Sequence, residues 1–246
     1  MGLARRVIET NAGRLAAYGE VGGRCLLVHG AGEDASIFAA QIASVPGIWA
    51  VDLPGHGASP GTGLRDVPSY ADLVLEIVRS HRPQGVCLGG HSMGGAIVLQ
   101  AALTDPAQVQ GLILMATGGR LRVHPDLLAA LQDGEMPQSF VDLMFAPEAT
   151  PEARASLPQA DRRVQYGDFL ACDAFDVLAR LGEIRQRALV LVGDRDRMTP
   201  EKYSRTLAQE LGAQLEVIPG AGHMLTLEAP QEISRRLRLF LSGGGR

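Results

Sequence analysis

The stretch Gly89-Gly90-His91-Ser92-Met93-Gly94-Gly95 decides how the rest of the chain is read. It contains Gly-x-Ser-x-Gly, preceded by the apolar run Gly85-Val86-Cys87-Leu88 and followed by Ala96-Ile97-Val98-Leu99-Gln100-Ala101-Ala102-Leu103. An apolar run of strand length leading into good helix formers puts Ser92 on a strand-to-helix turn. In such a turn the serine takes a left-handed backbone conformation, and only very small residues two positions away, here Gly90 and Gly94, let strand and helix approach so closely. The hydroxyl is thereby pushed above the sheet. The start of the helix leaves the Met93 N–H without an intrahelical acceptor and pointing at whatever the serine attacks. The bare five-residue pattern also fits a plain glycine-rich connection; the flanking strand and helix favour the nucleophilic turn.

Working outward, 246 residues that are 46% hydrophobic and 20% charged can bury a large core and read as one α/β domain spanning 1–246. The net charge of -4 with scattered basic residues gives no footprint for nucleic acid or an anionic membrane, so a small-molecule substrate is the expected partner. Nothing in the sequence sets an oligomeric state. The three cysteines, Cys25, Cys87 and Cys172, are odd in number, and two lie in apolar runs where they pack as small hydrophobes, so no disulfide framework is implied. Met1-Gly2-Leu3-Ala4-Arg5-Arg6 lacks the apolar core of a signal peptide and no run reaches membrane-spanning length, from which a cytoplasmic location is expected. Lys202 is the only lysine, which disfavours Walker-type nucleotide binding, Schiff-base chemistry and a Ser-Lys dyad. Whatever activates Ser92 is then a histidine.

Taken in order, Arg5 to Thr10 and Arg14 to Tyr18 flank Asn11-Ala12-Gly13 and predict an antiparallel hairpin. Cys25–Val28 and Ile48–Val51 read as strands, a helix spans about Ser69 to His81, and the Ser92 helix runs to about Leu103. Val109–Met115, Ala188–Val192 and Leu215–Ile218 continue the strands, with helices over Pro200–Leu211 and Ala229–Leu241. This alternation implies a mostly parallel sheet with helices on both faces. The interval from about Gly119 to Leu181 holds no strand and is too long for one crossover. Helices are expected there over Asp126–Leu131, Phe140–Phe145 and Val164–Leu181, broken by Pro137, Pro147, Pro151 and Pro158. The interval reads as a helical cap over the active site, or else as an excursion packed on the sheet edge. The chain ends in a glycine-rich tail, Gly243-Gly244-Gly245-Arg246.

Five stretches together carry a family resemblance: His29-Gly30-Ala31-Gly32, Asp52-Leu53-Pro54-Gly55-His56-Gly57, Gly90 to Gly95, Gly193 to Pro200, and Gly220-Ala221-Gly222-His223. In that order they resemble the successive signatures of the α/β-hydrolase superfamily, in its serine-hydrolase, carboxylesterase-like branch. The resemblance implies the α/β-hydrolase fold with a helical cap at about 119–181. It also implies a serine-based active site, whereas branches with an aspartate at the turn are haloalkane dehalogenases and epoxide hydrolases.

A serine hydroxyl needs a base within hydrogen-bond reach, and an imidazole with an ordinary pKa near 6.5 suits that task. His223, in a glycine-flanked loop after the last strand, is the candidate. His91 is locked beside the serine, His29 and His56 sit in turn motifs, and His81 and His124 read as exposed. Two aspartates compete to orient the imidazole; the resemblance selects Asp196 and leaves Asp194 as a turn residue. It likewise assigns the second oxyanion donor, beside Met93, to the backbone N–H of Ala31. No metal-ligand spacing and no dinucleotide-binding Gly-x-Gly-x-x-Gly occurs, so neither metal nor cofactor is expected. The expected reaction is hydrolysis of a carboxylic ester through an acyl-enzyme. Enol-lactone, carbon-carbon or thioester hydrolysis and cofactor-free peroxidation, which the resemblance also allows, remain open, as does a non-catalytic ligand-binding module. Arg120, Arg122, Arg154, Arg162 and Arg163 in the insertion are either carboxylate binders or solvated surface charges.

Overall fold

In the computed structural model, residues 4–243 are described; Met1 to Leu3 and the tail from Gly244 to Arg246 lie outside them. Eight strands form one sheet: β1 (Arg5–Thr10), β2 (Gly13–Gly19), β3 (Cys25–Val28), β4 (Ile48–Val51), β5 (Val86–His91), β6 (Val109–Met115), β7 (Ala188–Gly193) and β8 (Gln214–Ile218). Their order is β1-β2-β4-β3-β5-β6-β7-β8. The expected hairpin is present, with Thr10 opposite Gly13, and β2 then pairs antiparallel with β4; all remaining pairings are parallel.

The short parallel strands are apolar because both faces are covered. Along β3, Leu26 and Val28 pack into one hydrophobic cluster while Cys25 and Leu27 pack into the other. On one face lie α2 (Val67–His81), α3 (Met93–Thr104) and α8 (Glu201–Leu211), whose Leu207 joins the same cluster; on the other, α1 (Ala39–Ser44) packs with α10 (Pro230–Leu241). The short α9 (Leu225–Glu228) precedes α10. The helix α3 is apolar almost all round, with Ala96, Ile97, Val98, Leu99, Ala101 and Ala102 buried, as a helix pressed between sheet and neighbours must be. Its side chains fix the position of its N-terminus, which is where Ser92 stands.

Between β6 and β7 the chain makes the expected cap from α4 (Pro125–Gln132), α5 (Gln138–Met144), α6 (Pro151–Ala155) and α7 (Arg162–Ala174). Two sequence expectations need correction. Pro151 does not only interrupt: it is the first residue of α6, where its missing N–H costs nothing, with Thr150 capping the Ala153 N–H. The helix expected over Val164–Leu181 is two elements, α7 and a 3-10 turn at Leu178–Glu183. Between them Phe175 and Asp176 are drawn into extended pairing with the other end of the insertion, through Leu121 N to Phe175 O (3.3 Å), Val177 N to Gly119 O (2.8 Å) and a bridge between Arg120 and Asp176. The cap thus has a paired neck. No helix among the described residues is long and apolar enough to cross a membrane.

Candidate active site

The strand order reverses between β3 and β5, so the loops leaving these two strands diverge and open a crevice at their carboxyl ends. The loop after β3 carries Ala31, and the turn after β5 carries Ser92. Ser92 has φ 51° and ψ −116°, the strained turn expected of it. A Cβ on Gly90 would lie 2.1 Å from the Gly94 carbonyl carbon, and one on Gly94 would lie 2.0 Å from Val28 O. Both glycines are therefore required sterically. The turn is tied to β6 by Ser92 N to Met115 O (2.9 Å) and by the Thr117 hydroxyl donating to Ser92 O (2.8 Å). The Met93 N–H has no acceptor among the described residues.

His223 and Ser92 share the wall of a cavity of about 450 Å³. No hydrogen bond joins the Ser92 hydroxyl to His223 among the described residues, and such bonds are often long before substrate binds. His223 Nδ1 donates to Asp196 Oδ2 at 3.0 Å, with Thr199 Oγ1 3.2 Å away on the same side. Asp196 Oδ2 also accepts from the Thr199 hydroxyl (2.7 Å), and Oδ1 accepts from the amides of Met198 (2.9 Å) and Thr199 (2.8 Å). Burial pushes the Asp196 carboxyl upward, but His223 and these donors outweigh it and hold the pKa below the usual aspartate value. Asp194 instead accepts from Gly220 N at 2.8 Å and makes no contact with His223, as a turn residue would.

Sequence reading missed a second buried pair. Glu33 Oε2 accepts from His91 Nδ1 (2.9 Å) and from Gly30 N (2.7 Å), while His91 Nε2 donates to the His223 carbonyl at 2.9 Å. Both ring nitrogens of His91 face acceptors, so the ring is an imidazolium: burial lowers its pKa, but Glu33 raises it further and the net direction is up. Burial conversely raises Glu33, and His91 more than offsets this to leave it lowered. The pair links the loop of Ala31, the residue before Ser92 and the backbone of His223. The one sequence signal was His91 itself, a histidine fixed in a fully apolar strand end.

The cavity is walled by Leu127, Phe140, Leu143, Phe169 and Met198, so the cap packs over Ser92 and lines an apolar chamber as its helix spacings imply. His124, exposed as expected, stands at its edge as the N-cap of α4. The five cap arginines do not converge. Arg122 borders the chamber, Arg120 faces a separate groove, Arg154 and Arg162 line a second cavity beside Ala31, and Arg163 lies farther out. Arg122 donates to the carbonyls of Leu121 and Asp173, and Arg197, missed in the sequence, borders the chamber while donating to Asp142 O (2.6 Å).

The family profile described as the alpha/beta hydrolase family matches residues 25–236. The chain belongs to this family. Among its relatives is the pimeloyl-[acyl-carrier protein] methyl ester esterase of Chromobacterium violaceum, 31% identical over 239 residues that cover 86% of this chain and 91% of that one. A thermophilic esterase structure superposes with a TM-score of 0.85 at 31% identity, covering 99% of both chains. The enol-lactonase of Burkholderia xenovorans LB400, at 21% identity, shares the fold with a TM-score of 0.85 over 96% of this chain and 100% of that one.

Proposed function

We propose that this alpha/beta hydrolase cleaves small carboxylic esters through an acyl-enzyme formed on Ser92, with residues 1–246 acting as one catalytic domain. The single observation that carries this reading is the placement of Ser92, in a strained turn, on the same cavity wall as a His223 whose Nδ1–H is held by Asp196. The bond to Asp196 fixes the tautomer in which Nε2 is unprotonated and free to act as base. Ser92 Oγ attacks the ester carbonyl carbon as His223 takes its proton, giving a tetrahedral oxyanion. The N–H groups of Ala31 and Met93 receive that charge, a contribution of about 3 to 4 kcal/mol per donor in comparable sites. His223 then gives the proton to the departing alcohol, the ester C–O bond breaks, and water attacks the acyl-enzyme by the same steps to release the acid.

Ester hydrolysis is also the activity named in its esterase relatives. The apolar chamber favours an uncharged acyl group, because Leu127, Phe140, Leu143, Phe169 and Met198 wall it and the bordering Arg122 and Arg197 are bonded to backbone carbonyls. This weighs against the ring-fission and carboxylate-bearing lactone substrates. The test is labelling with a fluorophosphonate and hydrolysis of p-nitrophenyl esters of graded length. One label, at Ser92, is expected, and Ser92→Ala abolishes both signals with the fold intact. Folded protein that takes no label and turns over no ester overturns the proposal.

A further inference from the structure

The loop from Gly30 to Glu33 holds its amides in an alternating way. Gly30 N donates to Glu33 Oε2 at 2.7 Å and Gly32 N donates to Asp168 Oδ2 at 3.0 Å. Between them, the Ala31 N–H has no acceptor among the described residues. One of the two carboxylates belongs to the loop itself. The other comes from α7 in the cap.

Asp168 is fully buried and takes bonds from three segments far apart in sequence. Its Oδ2 also accepts from His56 Nε2 (2.7 Å), and its Oδ1 accepts from the Tyr70 hydroxyl (2.7 Å), which itself accepts from Leu64 N (2.9 Å). His56 Nδ1 faces Pro54 O at 3.1 Å, so both ring nitrogens meet acceptors and the ring carries the positive charge that balances Asp168. Merely fastening a cap to a core does not call for such an arrangement, since apolar side chains of similar volume do it as well or better. What a carboxylate adds is a directed, charge-assisted bond to one peptide plane. The plane it holds is the one joining Ala31 to Gly32. The fit is close there, for Gly32 has φ +67° and a Cβ on it would lie 2.5 Å from Gln165 of the same helix.

We propose that Asp168 is a positioning residue for the oxyanion hole: by fixing the Ala31–Gly32 peptide it sets the backbone of Ala31, whose own N–H lies in the adjoining Gly30–Ala31 peptide, and so aims that N–H at the oxyanion and joins the donor to the cap helix that also walls the acyl chamber with Phe169. This rests on the ester-hydrolase reading above. An oxyanion bond is made only in the tetrahedral state, so its loss falls on kcat and on tetrahedral analogues, and not on substrate binding.

The test compares wild type with Asp168→Ala and Asp168→Asn, using p-nitrophenyl butyrate as substrate and butylboronic acid as tetrahedral analogue. Expected are a fall in kcat of about 10- to 100-fold, a boronate Ki raised by the same factor, and KM within about threefold. A raised KM with kcat and boronate affinity unchanged would show that Asp168 only seats the cap, and would overturn the inference while the hydrolase reading stands. Wild type that neither turns over the ester nor takes a phosphonate label would bring down the hydrolase reading instead. Should both variants fail to fold, amide exchange in wild type still decides: Gly32 N–H is protected and Ala31 N–H exchanges fast. Equal exchange at the two amides would overturn the proposal.

Discussion

Replacing Asp196 by asparagine tests the active site at the point where its geometry is most explicit. The asparagine side chain keeps one carbonyl oxygen, which can still accept from the Met198 and Thr199 amides that now bond Oδ1. Its NH2 then replaces Oδ2, the atom that accepts from Thr199 Oγ1 and His223 Nδ1. The threonine hydroxyl can rotate to accept. The imidazole can satisfy the NH2 only by presenting an unprotonated Nδ1, which moves its proton to Nε2, the nitrogen meant to accept from Ser92. The backbone is thus retained and the base is lost through its tautomer. By analogy with the same change in trypsin-like enzymes, turnover should fall by about 10⁴, which is ~5.4 kcal/mol of barrier. Fluorophosphonate labelling should slow in parallel.

The assay is kcat/KM on p-nitrophenyl butyrate with thermal unfolding measured alongside. Asp194→Asn is the control, because among the described residues the Asp194 carboxylate bonds only the Gly220 amide and its neighbour Arg195. It should leave turnover within a few-fold and lower stability by about 1 kcal/mol. An Asp196→Asn protein retaining activity within tenfold of wild type, or a larger loss at Asp194 than at Asp196, would refute the assignment.

Gly94→Ala should destabilise the fold by ~3 kcal/mol or more, because its Cβ would lie 2.0 Å from Val28 O and 2.7 Å from His29 O, both backbone atoms. Gly134→Ala, at φ +82° with nothing within 4 Å, should cost only the left-handed strain of about 1 kcal/mol, and urea unfolding compares the two. Glu33→Gln leaves the buried His91 without its counter-charge and should cost about 3 kcal/mol near neutral pH. Since the folded His91 pKa is raised, its contribution is full below the unfolded value near 6.5 and fades as pH rises through the folded one. The lowered Glu33 contributes above its unfolded value near 4.3 and fades as pH falls through its folded one. The Tm gap between wild type and Glu33→Gln should therefore be widest between about pH 4.5 and 6.5 and narrow on the alkaline side; a gap constant with pH counts against an ion pair.

What the sequence made legible was local chemistry. The turn at Ser92 could be read because Gly90 and Gly94 answer a steric demand set within five residues, and His223 could be read because glycines flank it after a recognisable last strand. The choice of Asp196 over Asp194 came only from the family resemblance, which the residues by themselves left open. Asp168 and Glu33 gave no such signal, because the partners of Asp168 lie 98 to 136 residues away, the imidazole partner of Glu33 lies 58 away, and no local pattern marks a carboxylate that will be buried. In α7 the acid stands among Val164, Phe169, Ala171 and Cys172, all buried, and that misplaced polarity is the only trace of it. The break after Ala174 was equally hidden. Residues from Phe175 pair with the chain at Gly119 to Leu121, and tertiary pairing overrode a helical pattern that would otherwise continue.

These contacts change what the insertion is mechanically. Asp168 holds the loop of Ala31; Met224 N donates to Met144 O at 3.1 Å; Glu228 Oε2 accepts from both Ala146 N (2.8 Å) and Gly222 N (3.1 Å), the latter next to His223. Arg197, one residue beyond Asp196, donates to Asp142 O. Each loop bearing a proposed oxyanion donor, acid or base other than the Ser92 turn is thus bonded to cap backbone or to a cap side chain. A freely hinged lid could not carry such bonds, since opening it would break all of them together and leave buried carboxylates unpaired. On the proposed assignment the cap is the upper half of the catalytic scaffold. Changes in its helices that enlarge or fill the acyl chamber will then reach the loops of Ala31 and His223, so that substrate range and turnover shift together.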